Sequence, residues 1–427
     1  MLGHQPHRPR PQLGINLLRH ETHPSNSQRC GIKPGAVHYQ EFNPTQLDPV
    51  ALARQARDMG ARYVIVPTKH HDGFCLWPSR FTEHTVAPTP YGEDIVGQFV
   101  SAYDAENIDV FLYFSVLEWT NPDYVEHAPH TDDERRRFDR FLQYTRNQLL
   151  ELTERYPSIK GFWFDGTWDE SWSREYEFTY ALERELRAAV PGLIIGSRFR
   201  ADEHGSRHFD STGRLLGDYE QGWERKLPPS FELLEGHDWD CVTSIPPNGW
   251  AYLKNIDGLY LKTADDLIDL LMRCRSMNGN LVINFGPDGQ GRIRPEENEI
   301  AAALAQWTRT NEDAIYPGRH VPIPRTPLGH LTRSDRTLYL TVVNRPVNDI
   351  VRLTFPKDSS EVPVEARILG TEGQVAVRHT DIGFDLDPYT YYDIRLPHDF
   401  TSTHAFVIAM TLGDPPHRAA HLMDAAM

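Results

Sequence analysis

The chain has 427 residues, too many for one ordinary hydrophobic core, so two domains are expected, one of them large. It is 39% hydrophobic and 24% charged, as soluble globular proteins are, and 44 Lys plus Arg against 60 Asp plus Glu leave a net charge of −16. That balance argues against nucleic acid or an anionic membrane as the main partner, and nine tryptophans suit either stacking on neutral ligands such as sugars or a large core.

The cysteines, Cys30, Cys75, Cys241 and Cys274, are scattered without a CxxC pair and read as buried thiols. The opening MLGHQPHRPRPQLGINLLRH has no apolar signal-like stretch, and no run approaches a membrane span, so a cytoplasmic location is expected.

Residues 1–30 are rich in Pro, His and Arg and are expected to be mobile. Asp48-Pro49 opens a helix that Gly60 ends, with an aspartate cap, proline in the first turn and glycine past the last. The run that follows, YVIVPTKHHDGF (63–74), is apolar and β-branched, then breaks into Lys69, His70, His71 and Asp72. It reads as a strand buried on both faces with polar groups at its C-terminal end, where parallel α/β sheets and barrels carry their chemistry. The same residues could be a satisfied strand-end histidine pair with Asp72 starting a turn.

Residues 93–107 read as helix and 108–116 as strand. Phe138, Phe141, Leu142, Thr145, Leu149 and Leu152 recur at helical spacing and form one apolar face. The strand IKGFWF (159–164) then runs into Asp165-Gly166, flanked by Trp163 and Trp168. A carboxylate at the end of a buried strand suggests catalysis, although Asp-Gly also starts turns and Asp caps helices. A helix near 173–190, a strand at 193–199, a helix at 263–278, a strand at 281–285 and a helix at 295–311 complete the series.

Strands alternating with helices mean βα units around a parallel sheet. Five strands are visible, with His70, Glu118, Asp165, Arg198 and Asn284 at or just past their ends. No glycine-rich phosphate loop follows the first strand, so a (β/α)8-type barrel over 31–314 is expected rather than a doubly wound sheet. From about Ile315 prolines cluster. Short alternating segments at 337–343, 350–355, 366–369, 391–396 and 406–411 then predict a small antiparallel β-sandwich over 315–427 with a peripheral tail.

Taken together, FNPTQLDP (42–49), TKHHDGFCLWPSRFTEHTV (68–86), YFSVLEWTNPDY (113–124), GFWFDGTW (161–168) and MNGNLVINFGPDGQGRIRP (277–295) resemble, in order, the motifs of α-L-fucosidases of glycoside hydrolase family 29. The pattern departs at the family's first-strand motif, near which only GIKPGAVHYQ (31–40) stands, with His38 as a candidate for its sugar-binding histidine.

The resemblance implies retaining hydrolysis of terminal α-L-fucosyl residues through a covalent glycosyl-enzyme, needing no metal or other cofactor. Such enzymes use two carboxyl groups roughly 5–5.5 Å apart. The nucleophile maps onto Asp165, beside the candidate cations Lys69, His70, His71 and Arg198. The family varies the position of its acid/base; Glu224 is the first choice, then Glu220, then Asp240. His70, His71, Arg198 and Glu118 are candidate sugar contacts, and Trp77, Trp163 or Trp250 could wall the fucose methyl group. His70-His71-Asp72 as metal ligands is disfavoured, since adjacent strand residues point to opposite faces. A glycosidase for another deoxy or galacto-configured sugar, or a decayed carbohydrate-binding relative, are the alternatives.

Overall fold

The computed structural model describes residues 13–17, 39–247, 249–321, 326–380 and 388–415. Eight parallel strands form the first sheet: β1 (Leu13–Leu17), β2 (Tyr63–Lys69), β3 (Asp109–Ser115), β4 (Gly161–Asp165), β5 (Ile194–Ile195), β6 (Glu220–Glu224), β7 (Trp239–Ser244) and β8 (Asn280–Phe285). Their order is β5-β4-β3-β2-β1-β8-β7-β6. The ring closes beyond β5 through a parallel bridge between Gly196 and Tyr219, with Ser197 N donating to Tyr219 O and Asp218 N to Ile195 O. Helices α1 (Pro49–Asp58), α2 (Ile95–Ala105), α3 (Asp132–Arg155), α4 (Glu170–Ser173), α5 (Tyr176–Ala189), α6 (Ala264–Ser276) and α7 (Pro295–Ile315) lie between or after the strands, two of them between β4 and β5 and none of them, among the described residues, between β5 and β7. This is the expected (β/α)8 barrel.

Local sequence explains the helices. Asp48 accepts a hydrogen bond from Ala51 N at the start of α1. Thr131 and Glu134 form a capping box on α3, whose buried face is the periodic set Phe138, Phe141, Leu142, Thr145, Leu149 and Leu152. Side chains alternate along each barrel strand. Tyr63, Ile65, Phe111, Tyr113, Trp163, Tyr219, Val242 and Val282 fill the interior, so Asp165, two residues beyond Trp163, shares that face at the strand tip.

Two expectations are corrected here. The first strand is Leu13–Leu17, inside the stretch expected to be mobile, and it pairs with both β2 and β8. Two neighbouring strands satisfy its backbone, which a local reading of a Pro- and Arg-rich segment does not anticipate. The expected strand at 193–199 shrinks to Ile194–Ile195, because the chain turns after Gly196 to bring Arg198 back over the barrel mouth. His38 lies outside the described residues.

The chain divides into two compact units, Met1–Thr263 with Gly279–Ala305, and Ala264–Asn278 with Gln306–Met427. The second therefore takes in α6, expected to belong with the barrel; Arg275 Nε donates to Ile315 O and Asp269 pairs with His330. It also takes in the end of α7 from Gln306, and its strands form the expected sandwich. One antiparallel sheet joins β9 (Gly329–Ser334), β10 (Thr337–Val342), β12 (Val362–Ile368) and β15 (Phe406–Gly413); the other joins β11 (Ile350–Pro356), β13 (Val377–Thr380) and β14 (Tyr389–Arg395). Leu338, Leu340 and Ile408 from the first sheet share one core with Val351, Leu353 and Ile394 from the second.

Candidate active site

Asp165 ends β4 and is nearly buried. Gly166 follows with φ +75°, and a Cβ there would lie 2.5 Å from Leu117 Cβ, so only glycine lets the chain turn away so tightly. The Tyr113 hydroxyl donates to Asp165 Oδ2 at 2.6 Å. His71 Nε2 and His70 Nε2 stand 3.7 and 4.0 Å from the same oxygen, and Arg198 Nη1 stands 3.6 Å from Oδ1.

Both histidines reach the carboxylate because they lie past the end of β2, where strand alternation no longer applies. Their rings sit 3.9 Å apart, which corrects the expectation that they face opposite ways. His71 Nδ1 is 2.6 Å from Ser115 Oγ, and that hydroxyl donates to Leu117 O. Ser115 therefore accepts from Nδ1–H, and Nε2 is the atom turned to Asp165. One donor atom each from His70, His71 and Asp165 fall within 4.8 Å of one another, a set that could also hold a metal ion.

Arg198 organises the other side. Its Nη2 hydrogen-bonds Glu224 Oε2 at 3.2 Å while Nη1 faces Asp165, and the guanidinium lies 5.0 Å from the centre of the Trp163 ring. Burial lowers the pKa of Arg198, but the carboxylates of Asp165, Glu224 and Asp240 outweigh it and raise the pKa above its ordinary value. The site is thus built around a permanent cation.

The three acid/base candidates occupy different environments. Glu224 ends β6, shares Arg198 with Asp165 and keeps its side chain 38% exposed. Glu220 is buried and accepts from Ser197 Oγ at 2.7 Å, with His208 Nδ1 3.1 Å away. Asp240 is buried beneath Trp163, whose indole donates to Oδ2 at 3.1 Å, and desolvation pushes its carboxyl up to about 7.

Three expected site residues, Lys69, Glu118 and Trp77, point elsewhere. A register shift between Pro67 and Lys69 turns Lys69 out of the barrel, where it pairs with buried Glu118 between the Phe114 and Tyr144 rings. Trp77 is fully buried and donates to Glu151 of α3. Trp250 stays with the barrel interior, packed against the cluster that holds Tyr113 and Trp163, and the Arg225 guanidinium lies 4.1 Å from its ring centre.

A family model for α-L-fucosidase matches residues 33–313. A bacterial fucosidase crystallised with a monovalent iminocyclitol inhibitor is 39% identical, covering 88% of this chain and 84% of that one at TM-score 0.83. A family 29 α-L-fucosidase from Bacteroides thetaiotaomicron, trapped as a covalent intermediate with 2-fluoro-fucosyl fluoride in a Glu-to-Gln variant, is also 39% identical, with coverages of 88% and 84% and TM-score 0.82. The tissue α-L-fucosidase of Mus musculus is 28% identical over 85% of this chain and 77% of its own length. The chain belongs to the α-L-fucosidase family, glycoside hydrolase family 29. It is a glycoside hydrolase.

Within this fucosidase, the site also takes in Tyr113, Ser115, Trp119 and Trp168, which the motifs do not single out. Tyr113 and Ser115 lie at inward positions of β3, a signal present in the alternation of YFS. Trp119 and Trp168 are 45% and 47% exposed, with their rings edge-on to His71 at 5.1 and 5.8 Å. They form an aromatic rim beside the histidines that only the folded loops reveal.

Proposed function

We propose that this α-L-fucosidase removes terminal α-L-fucosyl residues from oligosaccharides or glycoconjugates by double displacement, with Asp165 as nucleophile and Glu224 as acid/base. The observation that carries the assignment is Arg198, whose two terminal nitrogens face the carboxyl groups of Asp165 and Glu224 at 3.6 and 3.2 Å. Two carboxyls on one guanidinium suit the close pair of a retaining enzyme. Glutamate as the partner is further supported by the Bacteroides relative, whose covalent intermediate was trapped in a Glu-to-Gln variant.

In the first step Asp165 attacks the anomeric carbon, while Glu224 gives its proton to the departing glycosidic oxygen. The resulting fucosyl ester is opened by a water that surrenders its proton to Glu224, regenerating both groups. Tyr113 and Arg198 fix the nucleophile's oxygens through the contacts described. His70 and His71 offer ring nitrogens to sugar hydroxyls, and Trp163 supplies an apolar face. Glu224, the more exposed carboxyl, meets the leaving group and the incoming water.

The test is to incubate the purified protein with nitrophenyl α-L-fucoside, β-D-galactoside and α-L-arabinoside, then with 2-fluoro-fucosyl fluoride. Preference for the fucoside and a 2-fluorofucosyl ester on the Asp165 peptide are expected. Preference for another sugar, or a label on a different carboxyl, overturns the substrate or the nucleophile respectively.

A further inference from the structure

Asp240 has no role in the two chemical steps, yet it is a buried carboxyl in the barrel interior. Its only hydrogen bond among the described residues is from Trp163 Nε1, and Oδ1 has no partner among them. A buried carboxyl with one oxygen unpaired is costly unless it serves a purpose.

The indole it holds links the two halves of the site. One neighbour is the Arg198 guanidinium over the ring; another is Tyr113, stacked at 5.6 Å and 19°. Arg198 spans Asp165 and Glu224, and the Tyr113 hydroxyl donates to Asp165. Asp240 reaches the reacting carboxyls through the Trp163 indole and through its charge interactions with Arg198 and Glu224.

We propose that Asp240 is a positioning and tuning residue: its carboxyl fixes the Trp163 indole, and its charge state sets how strongly Arg198 holds the acid/base carboxyl. The proposal rests on the assignment of Asp165 and Glu224 made above. Burial first, then the Glu220 and Glu224 carboxylates, raise the Asp240 pKa, while the Trp163 hydrogen bond and Arg198 lower it; the balance is about 7. The other group coupled to it is Tyr219, itself buried and held protonated. Asp240 therefore changes charge in the pH range where a glycosidase acid must keep its proton.

The sign follows from charge. Ionised Asp240 adds a carboxylate beside Arg198 and draws part of the guanidinium charge away from Glu224. Neutral Asp240 leaves the full charge of Arg198 to the carboxylates of Glu224 and Asp165. The alkaline limb of the kcat/KM profile thus carries the ionisation of Asp240 in the native enzyme.

The experiment compares Asp240→Asn and Asp240→Leu with the native enzyme on an activated aryl fucoside and on a fucosylated oligosaccharide, across the neutral pH range. Asparagine keeps an acceptor for Trp163 and matches the neutral form that burial favours, so folding is preserved. Asp240→Asn is expected to retain most of kcat at acid pH, to move the alkaline limb down by about one pH unit and to steepen it less. Asp240→Leu, which strands the indole N–H, is expected to lose about tenfold or more in kcat at every pH. An Asp240→Asn profile superimposable on the native one overturns the proposal. So does complete loss of turnover on the oligosaccharide with azide rescue of Asp240→Ala on the aryl fucoside, which would make Asp240 the proton donor. Azide rescue of Glu224→Ala, measured in parallel, reports separately on the acid/base assignment.

Discussion

Lys69 and His70 are adjacent in the chain, but they serve opposite sides of the barrel wall. On the inner side, His70 and His71 join Tyr113, Asp165, Arg198 and Glu224 around a space lined by aromatic rings. On the outer side, Lys69 and Glu118 form a buried pair against Phe114 and Tyr144, with Trp77 hydrogen-bonded to Glu151 alongside. The inner cluster keeps partly exposed groups that can meet a substrate. The outer one is closed and answers only to stability. Ionisable residues at a strand end are therefore of two kinds, and the bulge at Lys69 decides which is which.

The sharpest way to break this contrast is Asp165→Asn. Turnover should fall by about four orders of magnitude or more, with the melting temperature nearly unchanged, because asparagine keeps the shape and an acceptor for the Tyr113 hydroxyl while the covalent nucleophile is lost. Residual near-native activity would remove Asp165 from its role. Glu224→Ala comes next. Hydrolysis of a natural fucoside should drop roughly 10²–10⁴-fold, an aryl fucoside with a good leaving group much less, and azide should partly restore the second step. Equal losses on both substrates without azide rescue would shift the assignment to Glu220 or Asp240.

The outer cluster should respond in the reverse manner. Glu118→Ala leaves the Lys69 ammonium buried without its partner and should cost about 3–5 kcal/mol in chemical denaturation, while the folded fraction keeps its KM. The double variant Lys69→Met/Glu118→Leu should recover much of that loss. A KM raised severalfold with stability intact would put the pair in the substrate site after all. The smallest effect is expected at the aromatic rim. Trp168→Ala should cost about 0.5–1.5 kcal/mol in kcat/KM on a fucosylated oligosaccharide and less on an aryl fucoside, measured by initial rates.

Much of this was readable in the chain because it is local. Apolar runs ending in Asp165 or in His70-His71 announce strand tips, and alternation along β3 and β4 assigns Tyr113, Trp163 and Asp165 to one face. Helical spacing in α3 and strand spacing in the sandwich also held, though β9 and β13 went unseen. What failed depends on distant partners. β1 exists because β2 and β8 flank it, and β6, with the polar sequence EQGWE, because Tyr219 and β7 draw it into the ring. Lys69 reads as a pocket residue because a bulge leaves no mark in a sequence. The choice among Glu224, Glu220 and Asp240 turns on which shares Arg198 with Asp165, and Arg198 is reached through a loop that no periodicity predicts.

The ring is closed by its shortest strand. β5 contributes two residues, and past them a single bridge and a few backbone hydrogen bonds join Gly196 to Tyr219. Arg198 hangs from one lip of that seam and Glu224 from the other. In amide hydrogen exchange, so thinly stitched a joint should open well before the long β2–β3 ladder does. A fucoside seated on both Arg198 and Glu224 clasps the two lips together, so occupancy should slow exchange along backbone that the sugar never touches.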